Sequence, residues 1–360
     1  SYFYTVRLYQ DNVDPSVTFI WPQTGSVLPD ALFNVIASVS DAMDGVHRVE
    51  FYWHNQEWQT GVWELVGKDW DGSDGWSATF DPSGQPEGQG AAIYATAYDR
   101  AGNSASQAAW ELIIDKAAPT SSMTPLAASQ ASTAYQINWT GSDNLSGIWY
   151  LELEQSVNGG NWQFNGQIPG DQSSLWLVGV PGTSYQYRMH AIDFAGNTED
   201  YPASAETGTS LPSAGTLCAS LDAFDNGRND NSPPSANLVG LFAQPTTHNF
   251  CNPLESDYLF DEDWIVFPVQ AGKTYFIEAF ALAPQSAVLL SLVSADGTSL
   301  IAKSTPDHFG ERTLLTWTSD REGLVYVQMQ HLDGRVMGSV VAYQVQVRSG
   351  YAIYLPAIHK

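Results

Sequence analysis

Two short patterns occur twice in this chain, and their spacing constrains the fold more than any other feature. Ser40-Asp41-Ala-Met-Asp-Gly45-Val46 returns as Ser142-Asp143-Asn-Leu-Ser-Gly147-Ile148, and Ala97-Tyr-Asp99-Arg-Ala-Gly102-Asn103 returns as Ala191-Ile-Asp193-Phe-Ala-Gly196-Asn197. Each recurs after about a hundred residues, the length of one two-sheet β-sandwich. Between the copies run alternating, β-branched and aromatic stretches such as Phe33-Asn-Val-Ile-Ala-Ser-Val39 and Val49-Glu-Phe-Tyr-Trp53, punctuated by Gly, Pro, Asn and Asp. With 30 Gly and 19 Pro spread along 360 residues, no window sustains a three-turn amphipathic helix. The expected class is all-β, as tandem sandwiches. The Ala-Gly-Asn element reads as a tight hairpin between two long strands, with Gly at positive φ and Asp99 or Asp193 tying its carboxylate to turn amides. A third register of the repeat, Val6-Arg-Leu8 to Pro15, lines up with Trp110-Glu-Leu112 to Pro119, so Asp11 matches Asp115. Residues 2–10 thus look like the closing strand of a further unit.

Residues 13–116, with these repeats, resemble a bacterial Ig-like repeat of secreted and surface proteins. Residues 117–210 are similar to a fibronectin type III domain, through the core-Trp strand Gln136-Ile-Asn-Trp139 and through Pro181-Gly182-Thr-Ser-Tyr185-Gln-Tyr187. The resemblance implies that Tyr185 is a corner tyrosine bonded back to the main chain. The family's Leu two residues before that Pro-Gly is replaced here by Gly179. A Ser/Pro/Gly stretch, with 211–217 as linker, leads to a third unit over 218–350. Asp261-Glu-Asp263-Trp264-Ile-Val-Phe267 followed by Ala271-Gly272-Lys-Thr-Tyr275 resembles the pre-peptidase C-terminal (PPC) domain, a jelly-roll-like sandwich. The full expectation is two Ig/fibronectin-like sandwiches and one PPC-like sandwich, with residues 1–12 and 351–360 as surplus terminal strands.

In a secreted chain the only two cysteines, Cys218 and Cys251, read as one disulfide, for which chain entropy gives about 3–4 kcal/mol. Zinc is the alternative, but no His or second Cys pair stands at zinc spacing. Calcium is the cofactor for which the residues make a case. Asp222, Asp225, Asn229 and Asp230 cluster before the first strand of the third unit, and Asp261 and Asp263 precede Trp264. Oxygen ligands on flexible segments suit a hard cation, and in some PPC-like domains these two segments meet around calcium. Plain acidic loops in an acidic chain are the competing reading. A further acidic loop, Asp69-Trp-Asp71-Gly72-Ser-Asp74-Gly75, lacks the remaining EF-hand positions and reads as a hairpin turn.

The formal net charge of -25 argues against nucleic acid and anionic membranes as partners, and favours divalent cations near the surface. No segment has the apolar length of a membrane span. Trp53, Trp58, Trp63, Trp70 and Trp76 crowd one stretch of the first unit. They serve either core and hairpin packing, with Phe51 beside Trp53 and Trp63 beside Leu65, or glycan stacking, with Trp58 and Trp70 as the candidates. Signatures such as G-x-S-x-G and H-E-x-x-H are absent, and the resemblance to the Ig-like and fibronectin type III families implies no catalysis, since neither is catalytic. The expectation is a non-enzymatic, extracellular or cell-surface structural or adhesion protein. Its partners would be copies of itself, another surface protein, or glycan or matrix. Alternatives are the accessory region of a secreted protease or other hydrolase, and a glycan-binding module. The chain opens Ser1-Tyr2-Phe3, which reads as a processed chain or an excised piece. Tyr2, Tyr4, Val6 and Leu8 share one face of the first terminal strand, and Tyr351, Ile353 and Leu355 lie in the last. Either strand pairs with a neighbouring subunit and grows a filament, or the first is a repeat remnant and the last docks on its own unit.

Overall fold

The computed structural model describes residues 10–43, 45–55, 62–225, 230–252, 260–280 and 282–350. The expected terminal strands, with Tyr2, Tyr4, Val6, Leu8, Tyr351, Ile353 and Leu355, lie outside the described residues, as do Trp58 and Asn229. Among the described residues the one α-helix, α1 (Ala214–Leu217), is a single turn, so no helix is long and apolar enough to cross a membrane. The fold is all-β and built of sandwiches in series.

The first sandwich contains β1 (Ser16–Trp21), β2 (Val27–Leu28), β3 (Phe33–Ser40), β4 (Val46–His54), β5 (Glu64–Asp69), β6 (Trp76–Phe80), β7 (Gly88–Asp99) and β8 (Ser104–Ile114). They form sheets of order β1-β3-β6 and β2-β8-β7-β4-β5. Alternation along β4 turns Phe51 and Trp53 inward against Val35, Phe80 and Ile93. Trp76 packs on the same core, while Trp63 stands against His54, Tyr94 and Trp110 instead. Leu65, expected to pack beside Trp63, is half exposed to solvent. The loop holding Trp70 is not a hairpin, because β5 and β6 belong to different sheets. It is a sheet-to-sheet corner whose acids cap backbone: Asp69 accepts from the N–H groups of Asp71 and Ser77, and Asp71 from that of Ser73.

The second sandwich contains β9 (Thr120–Met123), β10 (Ala134–Ser142), β11 (Ile148–Val157), β12 (Gln163–Pro169), β13 (Ser174–Val178), β14 (Ser184–Asp193) and β15 (Thr207–Ser210), in sheets β13-β10-β9 and β12-β11-β14-β15. Ile137, Trp139, Leu153, Tyr187 and Met189 fill its core. The Tyr185 hydroxyl accepts the Val180 N–H at 2.9 Å, the corner bond that the resemblance implies. Gly179 is explained by its neighbours, since a Cβ there would stand 2.5 Å from Leu211 Cδ1 and 2.8 Å from the Tyr185 ring. Leu211 fills the space of the missing leucine and belongs to the second core rather than to a free linker. Both Ala-Gly-Asn turns have Gly at positive φ, 97° at Gly102 and 93° at Gly196. Only the first joins two long strands, β7 and β8. After the second, pairing stops at a single bridge, Ile192 to Thr198.

The third sandwich contains β16 (Asn237–Leu238), β17 (Thr246–Phe250), β18 (Glu262–Val269), β19 (Thr274–Phe280), β20 (Val288–Val293), β21 (Leu300–Ser304), β22 (Thr313–Thr318), β23 (Gly323–His331) and β24 (Gly338–Gly350). Its sheets are β16-β18-β23-β20-β21 and β17-β24-β19-β22, closed over Phe250, Phe267, Tyr275, Leu290 and Val327. The second and third sandwiches share contacts. Thr133 N–H donates to Met337 O at 3.0 Å, Met337 N–H donates to Thr133 Oγ1 at 2.9 Å, and Trp176 meets Phe309 edge to face.

Candidate metal centre

In the third sandwich three separate segments bring acids to one buried point. The segment after α1 supplies Asp222 and Asp225, the stretch before β16 supplies Asp230, and the start of β18 supplies Asp261 and Asp263. Strand alternation places Asp261 and Asp263 on the same side of the chain, with Glu262 turned away to the Gln328 and Gln330 amides. Asp222 orders the leading segment: its Oδ1 accepts from the N–H groups of Phe224 and Asp225, and its Oδ2 accepts the Asn249 N–H of β17 at 2.9 Å. Cys251, which follows β17, donates its N–H to Asp261 Oδ2 at 2.8 Å. It is joined by a disulfide to Cys218, with Cα atoms 5.6 Å apart.

The remaining oxygens decide what the cluster can do. Asp225 is 2% exposed and neither of its carboxylate oxygens has a hydrogen-bond partner. Asp230 Oδ1 and Asp261 Oδ1 are likewise buried without one. Burial, reinforced by the charges of Asp261, Asp263, Asp222 and Asp230, pushes the Asp225 carboxyl up to about 9. Burial raises Asp230 to about 6 and lifts Asp261 and Asp263 well above the carboxylate range. Oxygens or nitrogens of Asp225, Asp261 and Asp263 lie within 4.8 Å of one another, as do those of Asp222, His248 and Asp263. Orphaned, converging carboxylate oxygens at this depth fit a divalent cation, which would supply the missing partner for each of them. Asp225, Asp261 and Asp263, whose oxygens converge, are the residues that would hold such an ion, with Asp222 and Asp230 close by.

Two members of the centre were not legible as site residues. His248, on β17, reads as a strand residue, yet it is fully buried beside Asp263, with Nδ1 3.2 Å from Asp263 Oδ1 and Nε2 3.0 Å from Thr246 Oγ1. Burial lowers its pKa, and the neutral tautomer that fits donates from Nδ1 to Asp263 and accepts from Thr246 at Nε2. Tyr343, in the alternating stretch Tyr343-Gln-Val-Gln-Val347 of β24, donates its hydroxyl to Asp263 Oδ2 at 2.5 Å. The signal available in sequence was only that a His and a Tyr occupy inward positions of strands. The glycan candidate Trp70 stands 57% exposed, edge-on to His47 and 5.4 Å from the Arg48 guanidinium, apart from Trp53 in the core.

Residues 15–91 match the bacterial Ig domain family model. Solved structures similar to the chain include the pre-peptidase C-terminal domain of collagenase from Bacillus anthracis, at 17% identity over 31% of this chain and 94% of that one, with a TM-score of 0.25. A two-domain fibronectin type III segment from chicken tenascin is 12% identical over 53% of this chain and 97% of that one, with a TM-score of 0.20. A structure described for host cell surface retention of a bacterial ice-binding adhesin is 11% identical over 94% of this chain and 98% of that one, with a TM-score of 0.32. No curated protein matches the chain.

Proposed function

We infer that this chain is a non-catalytic, extracellular structural or adhesive array whose third sandwich is completed by calcium. The observation that carries the reading is Asp225, a carboxylate closed off from water with both oxygens unpartnered inside a five-acid cluster. A hydrolytic pair of acids must face a cleft where substrate enters, whereas Asp261 and Asp263 are packed under strands and beside a disulfide. An intrachain disulfide agrees with an oxidising, extracellular setting, as does the bacterial Ig match. Sandwich units in series, joined by direct hydrogen bonds, suit a load-bearing or displaying role.

Differential scanning calorimetry of the full chain in chelator and in millimolar calcium tests the cation. A concentration 100-fold above the dissociation constant stabilises the bound unit by about 2.7 kcal/mol, and an unchanged melting profile would remove calcium from the reading. Incubation of the pure chain with casein and with common polysaccharides tests the rest. Hydrolysis that disappears when one acid or His is replaced would make the chain an enzyme.

A further inference from the structure

The repeat places the same irregularity in the first and second sandwiches. β4 pairs with β7 across a bulge between Val46 and Arg48, and β11 pairs with β14 across a bulge between Ile148 and Tyr150, so His47 and Trp149 are the extra residues. A bulge re-aims the side chain it inserts, and its recurrence shows that both units are built around it. The fold does not require an aromatic ring there. Where the first sandwich has His47, Arg48 and, after Asp99, Arg100, the second has Trp149, Tyr150 and, after Asp193, Phe194. Arg48 is held by the Glu50 carboxylate and lies over the Tyr98 ring. Trp149 and Phe194 are instead turned to solvent, 55% and 57% exposed, with their rings stacked at 6.4 Å and 28°. Neither belongs to the core of the second sandwich.

Beside this pair β11 and β12 form an open cleft of about 390 Å³, lined by Trp149, Tyr150, Gln167, Ile168 and Pro169. The Trp149 ring stands edge to face with Tyr150, centroids 4.9 Å apart. Gln167 Nε2 donates to Glu152 Oε1 at 2.9 Å, which leaves the amide carbonyl as an acceptor at the cleft. Farther along the same strands the charges cancel in pairs: Glu152 meets His190, which stacks on Tyr201, and Glu154 meets Arg188, whose guanidinium lies 4.4 Å from the Trp162 ring. Trp162 and Tyr201 therefore have a structural use, whereas the exposed faces of Trp149 and Phe194 have no such explanation. None of the five lining residues is charged. On a chain of net charge -25 such a cleft repels the phosphates that a stacking nucleobase would bring, and it offers an anionic sugar no counter-ion. What matches it is an uncharged ligand with a broad C–H face to lie on the rings and hydroxyls at its rim to meet the Gln167 carbonyl and the Tyr150 hydroxyl. We propose that the cleft at Trp149, with Phe194 beside it, binds a neutral pyranose saccharide by stacking. This deepens the adhesive reading above, on which it rests for its extracellular setting, and it makes no use of the cation.

Retention of the full chain on insoluble cellulose and chitin, and its retardation in native gels containing mannan or β-glucan, test this, with Trp149→Ala, Trp149→Phe and Phe194→Ala as the variants. The parent is expected to bind at least one of the four in calcium and in chelator alike. Trp149→Ala should bind it at least about tenfold more weakly, Phe194→Ala should also weaken it, and Trp149→Phe should keep part of the affinity. Both side chains are more than half exposed, so the alanine variants are expected to melt with the parent, which separates lost binding from lost folding. Trp70→Ala, which removes an exposed Trp outside the cleft, is expected to bind as the parent does, and an equal weakening there would overturn the assignment to this cleft. A parent that binds none of the four, or a Trp149→Ala chain that folds and binds as tightly as the parent, overturns the proposal. Self-association by light scattering that Trp149→Ala abolishes would assign the pair to a second copy of the chain and overturn it too. Each of these failures leaves the non-catalytic reading standing, which falls only to hydrolysis by the pure chain.

Discussion

Glu50 lies on the outer side of β4 yet is 4% exposed, because Arg48, Lys68 and the Tyr52 hydroxyl close over it with bonds of 2.6–2.9 Å. Burial alone would raise its pKa, but the hydrogen bonds from Lys68, Tyr52 and Arg48 outweigh it and hold the carboxyl at about 2. A depressed carboxyl gives stability that is complete above its unfolded pKa and is lost as pH falls toward the folded value, so the window runs from about 4.5 down to about 2. Glu50→Gln should lower the stability of the first sandwich at pH 7 by about 1–3 kcal/mol and flatten its decline between pH 4.5 and 2, as read by urea titration at each pH. Asp225 behaves in the opposite sense. Its carboxyl, pushed up to about 9, must take up a proton on folding when no ion is present, and Asn removes that cost, so in chelator Asp225→Asn should melt no lower than the parent at pH 7, and in calcium it should lose the gain the parent shows. A variant still stabilised by calcium as strongly as the parent would place the ion elsewhere.

Gly179 and Leu211 trade places in the packing of the second sandwich, and the trade is testable. Gly179→Ala should destabilise that unit by about 1–3 kcal/mol, because its Cβ meets Leu211 and the Tyr185 ring, and combined with Leu211→Ala, itself a core truncation, the double variant should lose less than the sum of the two single losses. Losses that simply add, by thermal melting, would refute the pairing. What was legible beforehand follows from range. The strand about Phe51 and Trp53 and the turns at Gly102 and Gly196 are coded within a few consecutive residues, so period-two alternation and turn chemistry reveal them. The convergence of Asp222 with Asp263, and the place of His248 and Tyr343 between them, depends on strands far apart in the chain, and no local pattern marks it. The loop around Trp70 was misread for the same reason: its Gly-rich acids look like a hairpin, and only the partners of β5 and β6 show a corner between sheets. Leu211 looks like linker among Pro and Ser because its neighbours, Tyr185 and Gly179, are distant in sequence.

The second and third sandwiches are tied by two hydrogen bonds between Thr133 and Met337, by Thr133 Oγ1 donating to Arg335 O, and by the ring contact of Trp176 with Phe309. Ala134 packs in the core of the third unit although β10 belongs to the second. These two units should therefore melt in one calorimetric transition, which Thr133→Val combined with Trp176→Ala should split in two; a parent that already melts in separate steps would show the contact to be weak. The disulfide bears on what happens when the array is pulled. Tension arriving through the second sandwich enters the third at Cys218 and passes through the sulfur bridge to Cys251, whose strand β17 lies antiparallel to β24, with Thr246 opposite Val345. The loop that the bridge closes, with a sequence separation of 33, carries none of that load, and about 100 Å of chain is withheld from extension. Asp222, Asp225 and Asp230 all lie within the withheld loop, so stretching the protein cannot draw these acids out in a line while the bridge is intact.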